Sequence, residues 1–483
     1  MGISRLSQLW YLAGIMLYYS SRDNNKTRYS FSDILLKGLA DDGGLFVPEQ
    51  YPKLSLDTIQ ELSTLSYPEL AFRIISLFVG DSIPSDDLNT LINNAYTVEK
   101  FQHEAICPSV ALYDNIHILD LSSGPSLAFK DMAMQFLGQV MQYELKRRNQ
   151  RLTILGASSG DTVSSAEEAL RSKDNINVVM LTPKEGMSPF QKAQAGSILD
   201  DNIYNLSVPG PFDTCQDLVK AVNADLNFKR DYTIGAVNSI NWARICAQIV
   251  YYFKGYFSVV STIGEPLDIC VPSGNFGNIL AAYIAKQMGL PLKELIVATN
   301  ENNVLDTFFS SGLYKQKDVH VTSSPSMDIS KASNIERFFF DILGRDPQAC
   351  SRTMNAFEHD KQIDLSQHLS SIQDTHEFRS GMASHADRIH CIQRVYERCN
   401  LIIDPHTAAG VHVAEALSDK SRAILCMETA KPTKFEAAIQ ESLGFVPDRP
   451  AGFEKIEEKE QRFFDVDATV DDIKSFIKEH VAK

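Results

Sequence analysis

Three short segments put reactive side chains where an apolar strand meets a helix. Lys130 lies in Phe129-Lys130-Asp131, after Ser122-Ser123-Gly124-Pro125-Ser126-Leu127-Ala128. An ammonium between apolar residues at a helix entrance is poorly solvated, which lowers its pKa and makes the amine a nucleophile suited to Schiff-base chemistry. The simpler reading is an exposed first-turn lysine paired with Asp131. In Ser273-Gly274-Asn275-Phe276-Gly277-Asn278, glycines let the backbone approach a ligand, and the N–H groups of the next helix suit a phosphate. Neither Gly-Lys-Ser/Thr nor G-x-G-x-x-G is present, and a plain left-handed turn would give the same residues. Gly156-Ala157-Ser158-Ser159-Gly160 matches the G-x-S-x-G nucleophile elbow. Against a Ser158 hydrolase, Asp404 and His406 are only two residues apart, a poor basis for a triad. The segment also reads as a cap on the next helix through Asp161 or Thr162, or as a rim of hydroxyls for a carboxylate or phosphate.

Other patterns fail. Asp465-Val466-Asp467-Ala468-Thr469 begins like a calcium loop, but Val470 replaces the required Gly and Phe476 the required Glu. Thr469 and Asp472 read better as the capping pair of a last helix. His376-Glu377 lacks a second histidine at 380, and His385, His390 and Cys391 share no ligand spacing, so no metal is expected.

The elements that must position these residues follow from apolar periodicity. Residues 30–100 read as helical, with a turn at Asp41-Asp42-Gly43-Gly44. Strands are expected at 116–121, 152–155, 177–181, 268–271, 295–298 and 423–427. Ala133, Phe136, Leu137, Val140, Met141 and Leu145 recur at helical spacing, a second helix covers 161–170, and a third stops at Gly289-Leu290-Pro291. Strand–turn–helix repetition predicts an α/β protein: two domains of mostly parallel sheet flanked by helices, with a helical N-terminal region. Ligands in such sheets sit at carboxyl ends of strands, here the turns after 155, 271 and 427.

Composition narrows the function. The 483 residues suggest about three structural units, and 44% hydrophobic with 22% charged residues is globular. A net charge of −15, with no basic run beyond Lys146-Arg147-Arg148, disfavours nucleic acid and anionic membranes. Eight scattered cysteines without a Cys-x-x-Cys pair suggest a reducing cytoplasm. The apolar run from Leu9 to Tyr19 is too short to span a bilayer as a helix, and no clear cleavage site follows it.

Taken together, Leu127–Asp131, Ser158-Ser159-Gly160-Asp161-Thr162 and Ser273–Asn278 resemble the threonine synthase family. That family uses pyridoxal phosphate and has fold type II, the tryptophan-synthase-β-like fold. Gly38–Pro48, Asn238–Arg244, Ser324–Ile329, Asp404–Ala408 and Thr429–Phe435 resemble family segments as well. The resemblance implies that Lys130 is the Schiff-base lysine and proton shuttle. It implies that Gly274, Asn275, Phe276, Gly277 and Asn278 hold the cofactor phosphate, with Thr429 on the pyridine nitrogen. Ser158, Ser159, Asp161 and Thr162 would face the substrate, O-phospho-L-homoserine, which water converts to L-threonine and phosphate. A cytoplasmic monomer or homodimer is expected. The implied regions are an extension at 1–15, an N-terminal region at 16–100, a catalytic core of two interleaved subdomains at 101–445, and a helical tail at 446–483. Met16–Arg22 resembles the usual opening of bacterial members, so residues 1–15 read as an upstream extension or an early start. Departures stand at Val163, where the family has Gly; at Ser123, where it often has His; and at Gly186, where a basic residue is expected. Val163 would crowd or shift a helix start. These departures keep a phospho-lyase or threonine dehydratase open as alternatives.

Overall fold

The computed structural model describes residues 16–157, 160–185 and 187–481. The expected extension 1–15, Ser158, Ser159 and Gly186 lie outside the described residues. Two compact units result, fewer than length suggests: one runs to Leu121 and resumes over Ser239–Thr429, the other holds Ser122–Asn238 and the chain from Ala430 on.

The first unit is built on a six-stranded sheet. Its order is Phe378–Met382, Leu292–Thr299, Leu267–Pro272, Ile424–Glu428, Ile116–Asp120 and Ser109–Ala111, and only the last pairing is antiparallel. The central strands are continuous apolar runs because helices cover both faces of such a sheet. Helix Gly277–Gln287 ends before Gly289, whose φ of +107° stops it where the sequence predicts. In the N-terminal region, helix Tyr67–Val79 starts on a capping box of Ser66 and Glu69 and packs on helix Trp242–Val259. It buries Leu70, Ile74, Ile75 and Phe78, each contributing about 1.5–3 kcal/mol relative to exposure.

The second unit has five parallel strands, ordered Phe464–Asp465, Ile203–Val208, Ile176–Pro183, Leu152–Ala157 and Ile234–Gly235. Its core joins Leu155, Val179, Leu206 and Val222 to Ile473, Phe476 and Ile477 of the last helix, Val470–His480. Thr469 caps that helix as expected, accepting from the Asp472 N–H. Helix Lys130–Arg147 lies against helix Asp161–Leu170 so closely that a Cβ on Gly138 would stand 2.3 Å from the Ala169 carbonyl oxygen. No described helix is long and apolar enough to cross a membrane.

Candidate active site

In the second unit, Lys130 is the first residue of its helix, after Leu127 in a left-handed conformation (φ +57°). A bridge between Ala128 and Ala430, and the Lys431 N–H on the Leu127 carbonyl at 3.1 Å, fix this turn. The simple expectation of an exposed lysine paired with Asp131 is overturned. The Lys130 side chain is 14% exposed and its Nζ stands 3.6 Å from Asp161 Oδ2. Asp131 points inward instead, accepting from Ser126 N and Ser126 Oγ, both at 2.7 Å, and from Ser165 Oγ at 2.9 Å. Burial raises the Asp131 pKa, opposed by these bonds and by the Lys434 charge. Gly124 makes room for it, because a Cβ there would lie 2.6 Å from the Asp131 carboxylate.

Asp161 does not cap its helix through its side chain: the cap residue is Gly160. Its second oxygen, Oδ1, lies 2.8 Å from Nζ of Lys434, which is fully buried. Lys434 also donates to the Ser126 carbonyl at 2.6 Å. One carboxylate thus faces two ammonium groups, which compensates for its removal from water. Val163 is buried in a helix that begins at Asp161, where the sequence predicts its start. Thr162 is half-buried in the same first turn.

In the first unit, Ser273–Asn278 follows strand Leu267–Pro272. The left-handed residue is Phe276 (φ +62°), not a glycine, and its buried ring stacks on Phe309. Gly274 serves close approach instead: a Cβ would sit 2.7 Å from Ser326 O and 3.2 Å from Met327 Cα. Asn278 Oδ1 accepts from the Tyr251 and Tyr252 hydroxyls at 2.5 and 2.6 Å, and that assigns its amide orientation. Its Nδ2 and the Ser273 Oγ are buried without a partner among the described residues. Orphaned donors and a helix N-terminus together fit a phosphate. Thr429, directly after strand Ile424–Glu428, is buried with its N–H 3.4 Å from Thr407 Oγ1.

Two of the residues given no role in the segments of the resemblance stand out by burial and charge. Lys434 is one. Arg244, in the first turn of helix Trp242–Val259, is the other: it is 5% exposed, and no described residue bonds or pairs with its guanidinium. Burial lowers its pKa to about 10. A buried cation without a carboxylate calls for an anionic ligand. The available signal was a lone arginine among Trp242, Ile245, Cys246 and Ile249. The Asp404–His406 pair does not behave as part of a serine triad. His406 Nε2, the atom a nucleophilic serine needs, accepts from the Ser326 N–H at 3.1 Å.

Three family models match the chain: Threonine synthase N terminus over residues 17–96, Pyridoxal-phosphate dependent enzyme over 108–352, and Threonine synthase, C-terminal over 407–477. Threonine synthase of Methylobacillus glycogenes is 47% identical over 478 residues, 96% of this chain and 100% of its own. That of Corynebacterium glutamicum is 47% identical over 97% of this chain and 99% of its own. The crystal structure of PLP-bound threonine synthase from Brucella melitensis matches with a TM-score of 0.94 at 38% identity, over 97% of this chain and 100% of its own.

Proposed function

The chain belongs to the threonine synthase family, and on that premise we propose that it converts O-phospho-L-homoserine and water to L-threonine and phosphate with pyridoxal phosphate held on Lys130. The observation that carries the residue assignment is the Asp161 carboxylate shared by Lys130 and Lys434. The phosphate-binding features of Ser273–Asn278 fit the cofactor, and the half-buried amine of Lys130 fits its aldehyde.

When bound, pyridoxal phosphate supplies an electron sink for charge developed at the substrate carbons. The chain's residues do the rest. Lys130 Nζ holds the cofactor and, when released, takes and returns protons at those carbons. Asp161 stands beside that amine and orients it, and Lys434 holds the other oxygen of the same carboxylate. The backbone of Gly274, Asn275, Phe276, Gly277 and Asn278 holds the cofactor phosphate, and the neutral Thr429 hydroxyl meets the ring nitrogen. Arg244 takes the substrate phosphate and stabilises its charge as it leaves. Ser158, Ser159, Asp161 and Thr162 face the amino-acid part of the substrate.

Incubation with O-phospho-L-homoserine should release phosphate and form threonine in equal amounts. A keto acid with ammonia instead would assign a dehydratase. The net charge of −15 disfavours a nucleic-acid or anionic-membrane partner, and the proposed enzyme is a cytoplasmic monomer or homodimer.

A further inference from the structure

Asp404-Pro405-His406-Thr407 heads helix Pro405–Leu417 in the first unit, and its carboxylate does more than cap that helix. Two of its bonds are ordinary caps, from His406 N at 2.9 Å and Thr407 N at 3.2 Å. The other two hold side chains. His406 Nδ1 lies 2.6 Å from Asp404 Oδ1, and the Thr407 hydroxyl donates to Oδ2. Each of these side chains holds something further. His406 Nε2 accepts from the Ser326 N–H, a group that only donates, so the ring proton is on Nδ1, facing Asp404. Ser326 in turn abuts the cradle, its carbonyl 2.7 Å from where a Gly274 Cβ would be. The Thr407 hydroxyl accepts from the Thr429 N–H at 3.4 Å. Asp404 and His406 are themselves buried, at 0% and 2% exposure.

We infer that Asp404 and His406 are positioning residues: one buried carboxylate ties the Gly274 phosphate cradle, through His406 and Ser326, and the Thr429 end, through Thr407, into a single rigid support. This rests on the cofactor assignment proposed above. A cap alone would leave the cradle indifferent to His406, because both capping N–H groups belong to the backbone.

Two substitutions separate the sides of the imidazole. His406→Gln can keep an acceptor where Nε2 stands, and His406→Asn can keep a donor to Asp404 while losing that acceptor. The apoenzymes are titrated with pyridoxal phosphate and, separately, with pyridoxal, which lacks the phosphate. We expect His406→Asn to weaken pyridoxal phosphate about tenfold while pyridoxal changes less than about twofold, and His406→Gln to restore most of the difference. Thr407→Val should weaken both ligands by the same factor, since both carry the ring nitrogen. Equal losses for the two ligands in His406→Asn, or no loss, would overturn the inference. Should His406→Asn fail to fold, His406→Leu, which leaves both backbone caps, makes the same comparison. Wild-type apoenzyme showing no preference for pyridoxal phosphate over pyridoxal would instead sink the cofactor reading beneath it.

Discussion

The ammonium of Lys434 lies 2.8 Å from Asp161 Oδ1, and both groups are out of contact with water apart from a 5% exposure of the Asp161 side chain. The other Asp161 oxygen faces Lys130, so the proposed catalytic amine shares its carboxylate with a second lysine remote in sequence. Removing Lys434 strands a buried carboxylate. We expect Lys434→Met to lower stability in urea by about 3 kcal/mol and to reduce kcat by at least about tenfold. Unaltered kcat in a folded variant would detach Lys434 from the site.

Arg244 presents the reverse case, a buried charge held without a counter-ion among the described residues. Arg244→Leu should make the unliganded protein more stable by about 1–2 kcal/mol. The same change should raise KM for O-phospho-L-homoserine about 100-fold, the worth of a charge-assisted contact of about 2–3 kcal/mol. The visible spectrum of the bound cofactor should stay as in the wild type. A stability loss with unchanged KM would make Arg244 a structural residue.

At Gly274 the neighbours a Cβ would meet are backbone atoms of Ser326 and Met327, which cannot swing aside. Gly274→Ala should therefore raise the dissociation constant of pyridoxal phosphate from the apoenzyme more than about tenfold, or about 1.4 kcal/mol. Fluorescence titration reads this directly, and wild-type affinity would show that the turn does not hold the phosphate.

Glu167 is fully buried, and neither carboxyl oxygen has a hydrogen-bond partner among the described residues. Burial, aided by the Glu168 charge, pushes its pKa well above the ordinary value. The unfolded chain loses this proton near pH 4.3 while the folded chain keeps it. The folded state then binds more protons, so wild-type stability falls as pH rises above that value, by up to about 1.4 kcal/mol per pH unit until the folded pKa. Glu167→Gln has no proton to lose. Its stability advantage over the wild type, from urea unfolding, should be larger at pH 8 than at pH 5, and an equal difference at both would refute a protonated Glu167.

Local periodicity made much of the scaffold legible. The Lys130–Arg147 and Asp161–Leu170 helices and the central strands carry enough apolar residues at the right spacing. The edge strand Phe378–Met382 was not visible, since Phe-Arg-Ser-Gly-Met has only two apolar residues and owes its form to pairing with Leu292–Thr299. At the site, the glycine turn and Lys130 stood out by type and neighbours. Their partners did not. Asp131 looked like the counter-ion of Lys130 because it is adjacent, yet the helix turns it inward to Ser126 and Ser165, and the ion pair falls to Asp161, thirty-one positions away. Glycine was the natural choice for the left-handed position after Pro272, but stacking on Phe309 holds Phe276 there. Lys434, Arg244 and Asp404 gain their meaning from burial, which no single-sequence pattern displays.

The most direct test is to find the lysine that holds the cofactor. Borohydride reduction of the holoenzyme, proteolysis and mass spectrometry should place the phosphopyridoxyl mass on the peptide containing Lys130, and Lys130→Ala should carry none. A label on Lys434, the second ammonium beside Asp161, or on any other lysine would contradict the assignment of Lys130.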